Sequence, residues 1–134
     1  MATLRDETFP IRSADDIVKI RQITRELALM HGFSLVDQTK IVTAASELAR
    51  NTLQHGGGGN VRLEAIHEGV RRGVRLTFVD QGPGIASLEN ALKDGFTTGN
   101  GMGLGLSGSK RLVNDFEIHS ELGKGTKVMI ARWK

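Results

Sequence analysis

The chain of 134 residues contains no cysteine and no tyrosine, and it has only one tryptophan and two prolines. The absence of cysteine excludes disulfides, thiol catalysis and cysteine-ligated zinc, and it fits a reducing compartment, so we expect a cytoplasmic protein. No apolar run approaches the roughly 20 residues that a membrane-spanning helix needs. The first residues also lack the apolar stretch of a signal peptide. We therefore expect no membrane association.

Basic residues are scattered and aromatic residues are few. Lys and Arg total 18, yet the net charge is only +3 and aromatic residues make up 4% of the chain. Such a surface offers little for stacking bases, so a nucleic-acid partner is not expected. The length favours a single domain, residues 1–134, built around one hydrophobic core.

Glycine, by contrast, is abundant and clustered. The 17 glycines concentrate at 56–59, at 82 and 84, within 95–108 and at 123–125. Because glycine lacks a side chain, such clusters indicate backbone that approaches another group closely.

Hydrophobic periodicity predicts a mixed order of elements. The predicted elements are a strand at 4–12, a helix capped by Ser13 and ended by Gly32, a helix from Val36 or Asp37 to His55, strands at 61–68 and 74–79, a short helix at 86–93, a loop at 95–103, a helix at 104–114, and two strands around 123–125. Each late pair of strands is expected to form an antiparallel hairpin. The predicted fold is a two-layer α/β (α+β) sandwich, with a mainly antiparallel sheet and the helices on one face.

The second helix carries two different faces. Its apolar stripe is Ile41, Val42, Ala45, Leu48 and Ala49, whereas Thr43, Glu47, Asn51 and His55 recur every four residues and share another face. Glu47 and Asn51 therefore project side by side. This face is either a solvated polar surface or a site where Asn51 supplies an oxygen to Mg²⁺ and Glu47 orients or deprotonates a hydroxyl or water.

The segment G101-M-G-L-G-L-S-G108 opens the third substantial helix. Exposed backbone amides at a helix start favour anions, so the segment is either a phosphate-binding loop or a flexible turn before a helix. No strand precedes its G-x-G-x-x-G match, and Ser109-Lys110 follows where a P-loop has Lys and then Ser or Thr. The dinucleotide and P-loop motifs are therefore excluded.

Asp80 follows a strand and begins D80-Q-G-P-G84. An aspartate there either caps the turn or, if buried, needs a donor such as the exocyclic amine of adenine.

Taken in order, E47-L-A-R-N51, D80-Q-G-P-G-I85, G101-M-G-L-G-L-S-G108 and G123-K-G-T126 resemble the ATP-binding boxes of the gyrase, Hsp90, histidine-kinase and MutL (GHKL) ATPases. That resemblance implies the Bergerat ATP-binding fold, with ATP and Mg²⁺ as cofactors. It further implies that Asn51 holds Mg²⁺, Glu47 is the general base, Asp80 reads the adenine amino group and Thr126 supports that contact. The remaining implied nucleotide-binding residues are Gly82, Gly84, Ile85, Thr98, Gly101, Met102, Gly103, Leu104, Gly105 and Leu106.

Within this superfamily, the length of 134 residues leads us to expect neither a second domain with a catalytic lysine nor a dimerisation helix pair. The segments at 37–51, 93–98 and 110–116 are most similar to the serine/threonine kinases that regulate sigma factors, in particular the stressosome switch kinases. This resemblance implies phosphorylation of a STAS-domain antagonist protein and activation of a PP2C-type phosphatase. Two alternatives stay open: an anti-sigma-factor kinase that binds sigma directly, and a binding module that ATP gates without productive turnover.

Two neighbours of the polar face have competing interpretations. His55 either lies near phosphates or simply interacts favourably with the helix dipole. Arg50 pairs with Glu47 or with acidic groups of a partner, and a surface pair of this kind contributes less than about 1 kcal/mol.

Overall fold

The computed structural model describes residues 2–85 and 105–134, which form five strands and three helices. In chain order the elements are β1 (Ala2–Ile11), α1 (Ala14–Met30), α2 (Leu35–Gln54), β2 (Gly59–Glu68), β3 (Arg71–Asp80), α3 (Gly105–Arg111), β4 (Asp115–Glu121) and β5 (Gly125–Trp133). The strands form one antiparallel sheet, and the helices pack on one of its faces. The predicted two-layer α/β sandwich is therefore confirmed.

The strand order is β1-β2-β3-β5-β4, and both predicted hairpins, β2 with β3 and β4 with β5, are present. β5 lies between β3 and β4, so the second hairpin adds to the sheet through its later strand. Asp80 at the end of β3 pairs with Gly59 at the start of β2 and with Thr126 at the start of β5. The ends of these three neighbouring strands thus lie side by side at one end of the sheet.

The core lies between the helices and the facing side of the sheet. Side chains alternate along β2 and β3, and Val61, Leu63, Leu76 and Phe78 point toward the helices and are buried. The whole predicted apolar stripe of α2 is also buried, which confirms that part of the helix assignment. The stripe consists of Ile41, Val42, Ala45, Leu48 and Ala49.

Helix starts differ from the sequence predictions in small ways. The Ser34 hydroxyl accepts a hydrogen bond from the Asp37 amide at 3.1 Å, so α2 starts at Leu35 rather than at Val36 or Asp37. Ser13 does precede α1 but its side chain makes no capping bond. Its carbonyl instead accepts from the Asp16 amide, and the Asp16 carboxylate accepts from the Arg12 amide.

The helix predicted at 104–114 is wrong at its C-terminal end, because α3 stops at Arg111. The Leu112 amide bonds back to the Ser109 carbonyl, which tightens the last turn. Asn114 instead bonds to β5. Its backbone amide donates to the Ala131 carbonyl, and its side-chain oxygen accepts from the Trp133 amide. Pairing with β5 outweighs continuation of the helix.

The predicted helix at 86–93 and loop at 95–103 lie outside the described residues. Among the helices of residues 2–85 and 105–134, none combines the length and the apolar character needed to cross a membrane.

On the sheet face opposite the helices, a charged residue is almost fully buried. Glu64 is only 2% exposed, and its two carboxylate oxygens accept from the Arg75 guanidinium at 3.0 and 2.9 Å. Arg62 lies 3.6 Å away and also pairs with Asp6. The hydrogen bonds to Glu64 raise the pKa of Arg75. A buried carboxylate without such a partner would be strongly unfavourable.

We therefore expect Arg75→Ala to lower the free energy of unfolding by about 3 kcal/mol, because Glu64 would lose its bidentate partner. Urea denaturation measures the change. Arg5→Ala, which removes an exposed pair with Glu7, is the matched control and should cost less than about 1 kcal/mol. An equal decrease in the free energy of unfolding in the two variants would contradict the claim that the buried Glu64 pair contributes more than an exposed pair.

Candidate functional site

The polar face of α2 lies next to the end of the central strand β3. Thr43, Glu47, Asn51 and His55 are all half-buried, as side chains at the boundary of a cleft are, rather than fully solvated. The side-chain amide of Asn51 makes no hydrogen bond within residues 2–85 and 105–134. An amide in this position has its oxygen available for a ligand or a metal ion.

Asp80 ends β3 and is 7% exposed. Its Oδ1 accepts a hydrogen bond from the Gly82 amide at 2.9 Å, so the predicted turn-capping role is present. In the described part of the chain, the Gly82 amide is the one donor to this carboxylate, and Oδ2 makes no bond there. Capping and ligand recognition are therefore compatible, because each uses a different oxygen.

Glycines surround Asp80 because neighbouring backbone segments pack against the end of β3 too closely for a side chain. A Cβ at Gly56 would collide with the Asp80 carboxyl group, and one at Gly82 would lie 2.6 Å from the Gly56 Cα. Gly59 and Gly125 likewise leave no space for a side chain against the β3 backbone. Glycines at 56, 59, 82 and 125 thus allow the neighbouring backbone to pack closely around the end of β3.

A hydroxyl cluster lies beside Asp80. The Ser120 hydroxyl oxygen lies 2.8 Å from the Thr126 hydroxyl and accepts from the Ile85 amide at 2.8 Å. It also lies 3.1 Å from the Gly125 carbonyl. Ser120 therefore connects the loop after Asp80 to the start of β5, and it holds Ile85 and Thr126 in position.

His55 connects the end of α2 to the same loop. Its Nε2 lies 3.1 Å from the Gly84 carbonyl oxygen. Since a carbonyl only accepts, Nε2 must carry the hydrogen. Gly84 itself has a φ of 76° and sits against the Glu121 carbonyl, so glycine is required there. His55 thus has a specific contact in addition to any favourable interaction with the helix dipole.

A small cavity, partly open to solvent, lies between α2, the end of β3, the start of β5 and α3. Of the predicted site residues, Asn51, Asp80, Ile85, Leu106 and Thr126 line it together. The other lining residues are Leu48, Thr52, His55, Phe78 and Val128.

Glu47 lies one turn before Asn51 on α2 and is not part of the cavity lining. Its carboxylate pairs with the Arg50 guanidinium at 2.6 Å, with the Glu47 side chain 13% exposed. One of the two predicted pairings of Arg50 is therefore present, and it fixes the orientation of Glu47. Any base role of Glu47 has to operate from the rim of the cavity.

The remaining predicted residues fall into two groups. Gly82 and Gly84 shape the loop after Asp80 rather than the wall of the cavity, and Gly105 starts α3. The second group, Thr98, Gly101, Met102, Gly103 and Leu104, lies outside the described residues.

Sequence reasoning missed several residues of this site. Phe78 and Val128 face the cavity because the β-strand alternation that buries them also aligns them with Asp80 and Thr126. That alternation was available from the sequence. Ser120 had no signal of its own, because its importance depends on the pairing of β4 with β5 opposite Thr126.

The cavity fits an adenine nucleotide in its chemistry. Apolar side chains, among them Leu48, Phe78 and Val128, offer surfaces for a planar base. At one end the Asp80 Oδ2 could accept a hydrogen bond from an exocyclic amine, and Asn51 carries an amide oxygen of the kind that Mg²⁺ prefers.

Comparison with known proteins agrees with this geometry. Residues 36–134 match the family described as histidine kinase-, DNA gyrase B-, and HSP90-like ATPases. The serine/threonine-protein kinase RsbT of Bacillus subtilis is 42% identical over 118 residues, which is 88% of this chain and 89% of that protein. An anti-sigma F factor of Clostridium beijerinckii is 33% identical over 100 residues, 69% of this chain and 68% of that protein.

Among solved structures, the RsbU and RsbW domains of a Mycobacterium tuberculosis protein match with a TM-score of 0.63 and 21% identity. That match covers 96% of this chain and 33% of the other, and it supports the fold alone. The family match spans most of the chain, including α2, the Asp80 loop and the hairpin that carries Thr126. The chain therefore belongs to the family of histidine kinase-, DNA gyrase B- and HSP90-like ATPases.

Proposed function

We propose that this chain is an ATP-dependent serine/threonine protein kinase that phosphorylates a STAS-domain antagonist protein in a partner switch controlling a sigma factor. The observation that carries the proposal is the convergence of Asp80, Asn51 and Thr126 on one cavity, in a chain 42% identical to a named serine/threonine kinase over 88% of its length. ATP and Mg²⁺ are the cofactors, and the cytoplasm is the proposed compartment.

The relatives favour phosphorylation of an antagonist over direct binding of sigma. The RsbT relative is more similar and covers more of the chain than the anti-sigma F factor, at 42% against 33% identity and 88% against 69% coverage. The anti-sigma F relatives keep direct sigma binding as the second candidate function. Activation of a PP2C-type phosphatase is a further proposed output, implied by the resemblance to stressosome switch kinases.

The adenine ring of ATP would bind at the Asp80 end of the cavity. The Asp80 Oδ2 accepts from the adenine amino group while Oδ1 stays bonded to the Gly82 amide. Thr126 lies opposite Asp80 on β5, and Ser120 fixes its hydroxyl next to the same edge of the base. Specificity for adenine follows because guanine would present a carbonyl oxygen to the carboxylate.

The phosphates would then extend along α2 toward Asn51. Mg²⁺ held by Asn51 would reduce the negative charge on the phosphates. Glu47, oriented by Arg50, accepts the proton of the incoming serine or threonine hydroxyl. The hydroxyl oxygen bonds to the γ-phosphorus as the bond from that phosphorus to the β–γ bridging oxygen breaks, leaving ADP and a phosphorylated partner.

We expect Asp80→Asn to weaken ATP binding roughly 100-fold or more, because the amide nitrogen would face the adenine amino group donor to donor. Isothermal titration calorimetry measures the affinity. Asp6→Asn, on the sheet face away from the cavity, should leave it unchanged. Undiminished affinity in Asp80→Asn would remove the proposed adenine contact.

For Asn51→Ala we expect ATP affinity in the presence of Mg²⁺ to fall about tenfold, while the affinity measured in EDTA stays close to that of the unaltered chain. The reason is that only the metal-bound nucleotide uses the Asn51 oxygen. Asn60→Ala, an exposed change on β2, is the control. An identical Mg²⁺ titration in Asn51→Ala and in the parent would show that Asn51 holds no metal.

Replacing Glu47 by alanine should slow phosphate transfer to a STAS-domain protein by roughly 100-fold or more, with ATP affinity retained. Transfer from γ-labelled ATP measures the rate. Arg50→Ala removes the pair but keeps the carboxylate, so its effect should be much smaller. Transfer at the parent rate by Glu47→Ala would refute the base assignment. ATP binding without transfer to any STAS-domain protein would instead favour the nucleotide-gated binding module.

A further inference from the structure

Four large apolar side chains are exposed where α1 turns into α2. Leu29 and Met30 end α1, Leu35 and Val36 begin α2, and each is between 62% and 71% exposed. We call these four residues the helical corner. They are four of the seven large hydrophobic side chains that are exposed in the described part of the chain. Single exposed apolar residues are ordinary, but a group at one place needs an explanation.

Local structure holds the helical corner in a defined shape. The Phe33 amide donates to the Ala28 carbonyl, and the Gln38 side chain donates to the Phe33 carbonyl. Leu27, Ala28 and Phe33 are buried beneath the turn. The corner residues are therefore exposed on an ordered turn, while neighbouring apolar residues supply the core.

Positive charge surrounds the helical corner. The Arg72 guanidinium lies 3.5 Å from the His31 ring nitrogen Nδ1, and a Cβ placed at Gly32 would lie 3.1 Å from the Lys134 amine. Arg25 and Lys40 lie one helical turn from Leu29 and Val36 on their own helices. The nearby acids are Glu26, one turn before Met30, and Asp37, whose pKa is held low by its hydrogen bond to Arg132.

The helical corner lies at the opposite end of α2 from the cavity. Leu35 and Asn51 are 16 positions apart on one continuous helix, which corresponds to about 24 Å at 1.5 Å per residue. A ligand at the corner therefore leaves the cavity and the Asp80 loop uncovered.

We propose that the helical corner is a docking surface for an acidic amphipathic segment of a partner protein, separate from the nucleotide site. Apolar side chains of the segment cover Leu29, Met30, Leu35 and Val36, while its Asp and Glu side chains face Arg25, Lys40, Arg72 and Lys134. The partner and ATP then bind at the same time.

Charge and shape argue against two other occupants. In a two-fold contact between copies of this chain the same surface would meet itself, so Arg72 and Lys134 of each copy would approach those of the other. A membrane-surface helix needs its apolar side chains along one helix face, whereas here they come from the abutting ends of two helices.

The test is a selection of displayed helical peptides on the folded chain of 134 residues, followed by fluorescence anisotropy with the selected peptides made synthetically. We expect the peptides to combine acidic and apolar residues. Binding should weaken at least about tenfold in a corner variant carrying Leu35→Ser and Val36→Ser, and severalfold in Arg72→Glu. Leu122→Ser is the matched control, because Leu122 is 67% exposed but lies in the β4–β5 turn.

ATP affinity should be equal in the corner variant, the control and the parent, which separates this proposal from the proposed kinase function. The proposal is overturned if no peptide is selected, if the selected peptides are basic, or if they bind the corner variant as tightly as the parent. Corner-dependent self-association in sedimentation velocity, or corner-dependent binding to phosphatidylserine vesicles, would overturn it in favour of a second copy or a membrane.

Discussion

The close contact between the last turn of α2 and the end of β3 is the constraint on which the site depends. Gly56 packs directly on Asp80 and Gly82, where no side chain fits. This contact brings the polar face of a helix to the edge of a sheet and places the Asp80 carboxylate beside Asn51. A larger residue at Gly56 would separate the helix from the strand and open the cavity, without removing any residue expected to bind the nucleotide.

The hairpin of β4 and β5 forms the other side of the site. Because β5 pairs with β3, Thr126 lies opposite Asp80, and because β4 pairs with β5, Ser120 lies opposite Thr126. The loop after Asp80 is then held from two sides, by Ser120 at the Ile85 amide and by His55 at the Gly84 carbonyl. Polar groups that would be costly to bury unpaired are satisfied by one another, so the loop has a defined shape before any ligand binds.

α2 connects two surfaces of different character. Its C-terminal half lines the cavity with the Asn51 amide, opposite the Asp80 carboxylate of β3, and its N-terminal end contributes to the exposed apolar helical corner. Between them the helix is anchored by its buried stripe and by the Asp37–Arg132 pair at 2.6 Å. The two surfaces lie at opposite ends of one helix, so the proposed nucleotide site and the proposed docking surface do not overlap.

The sequence by itself determined the α/β sandwich, both hairpins, the buried stripe of α2 and the shared face of Glu47 and Asn51, because each depends on local periodicity. The helix predicted at 104–114 was too long, because the chain turns away after Arg111 and Asn114 pairs with β5, and this pairing is not a local property of the sequence. Tertiary structure alone decided that Asp80 uses one oxygen for Gly82 and leaves the other for a ligand, and that Ser120 supports the site. The bond between Ser120 and Ile85 joins residues 35 positions apart, and Asp80 chooses between two chemically equivalent oxygens, so only the tertiary packing decides either feature.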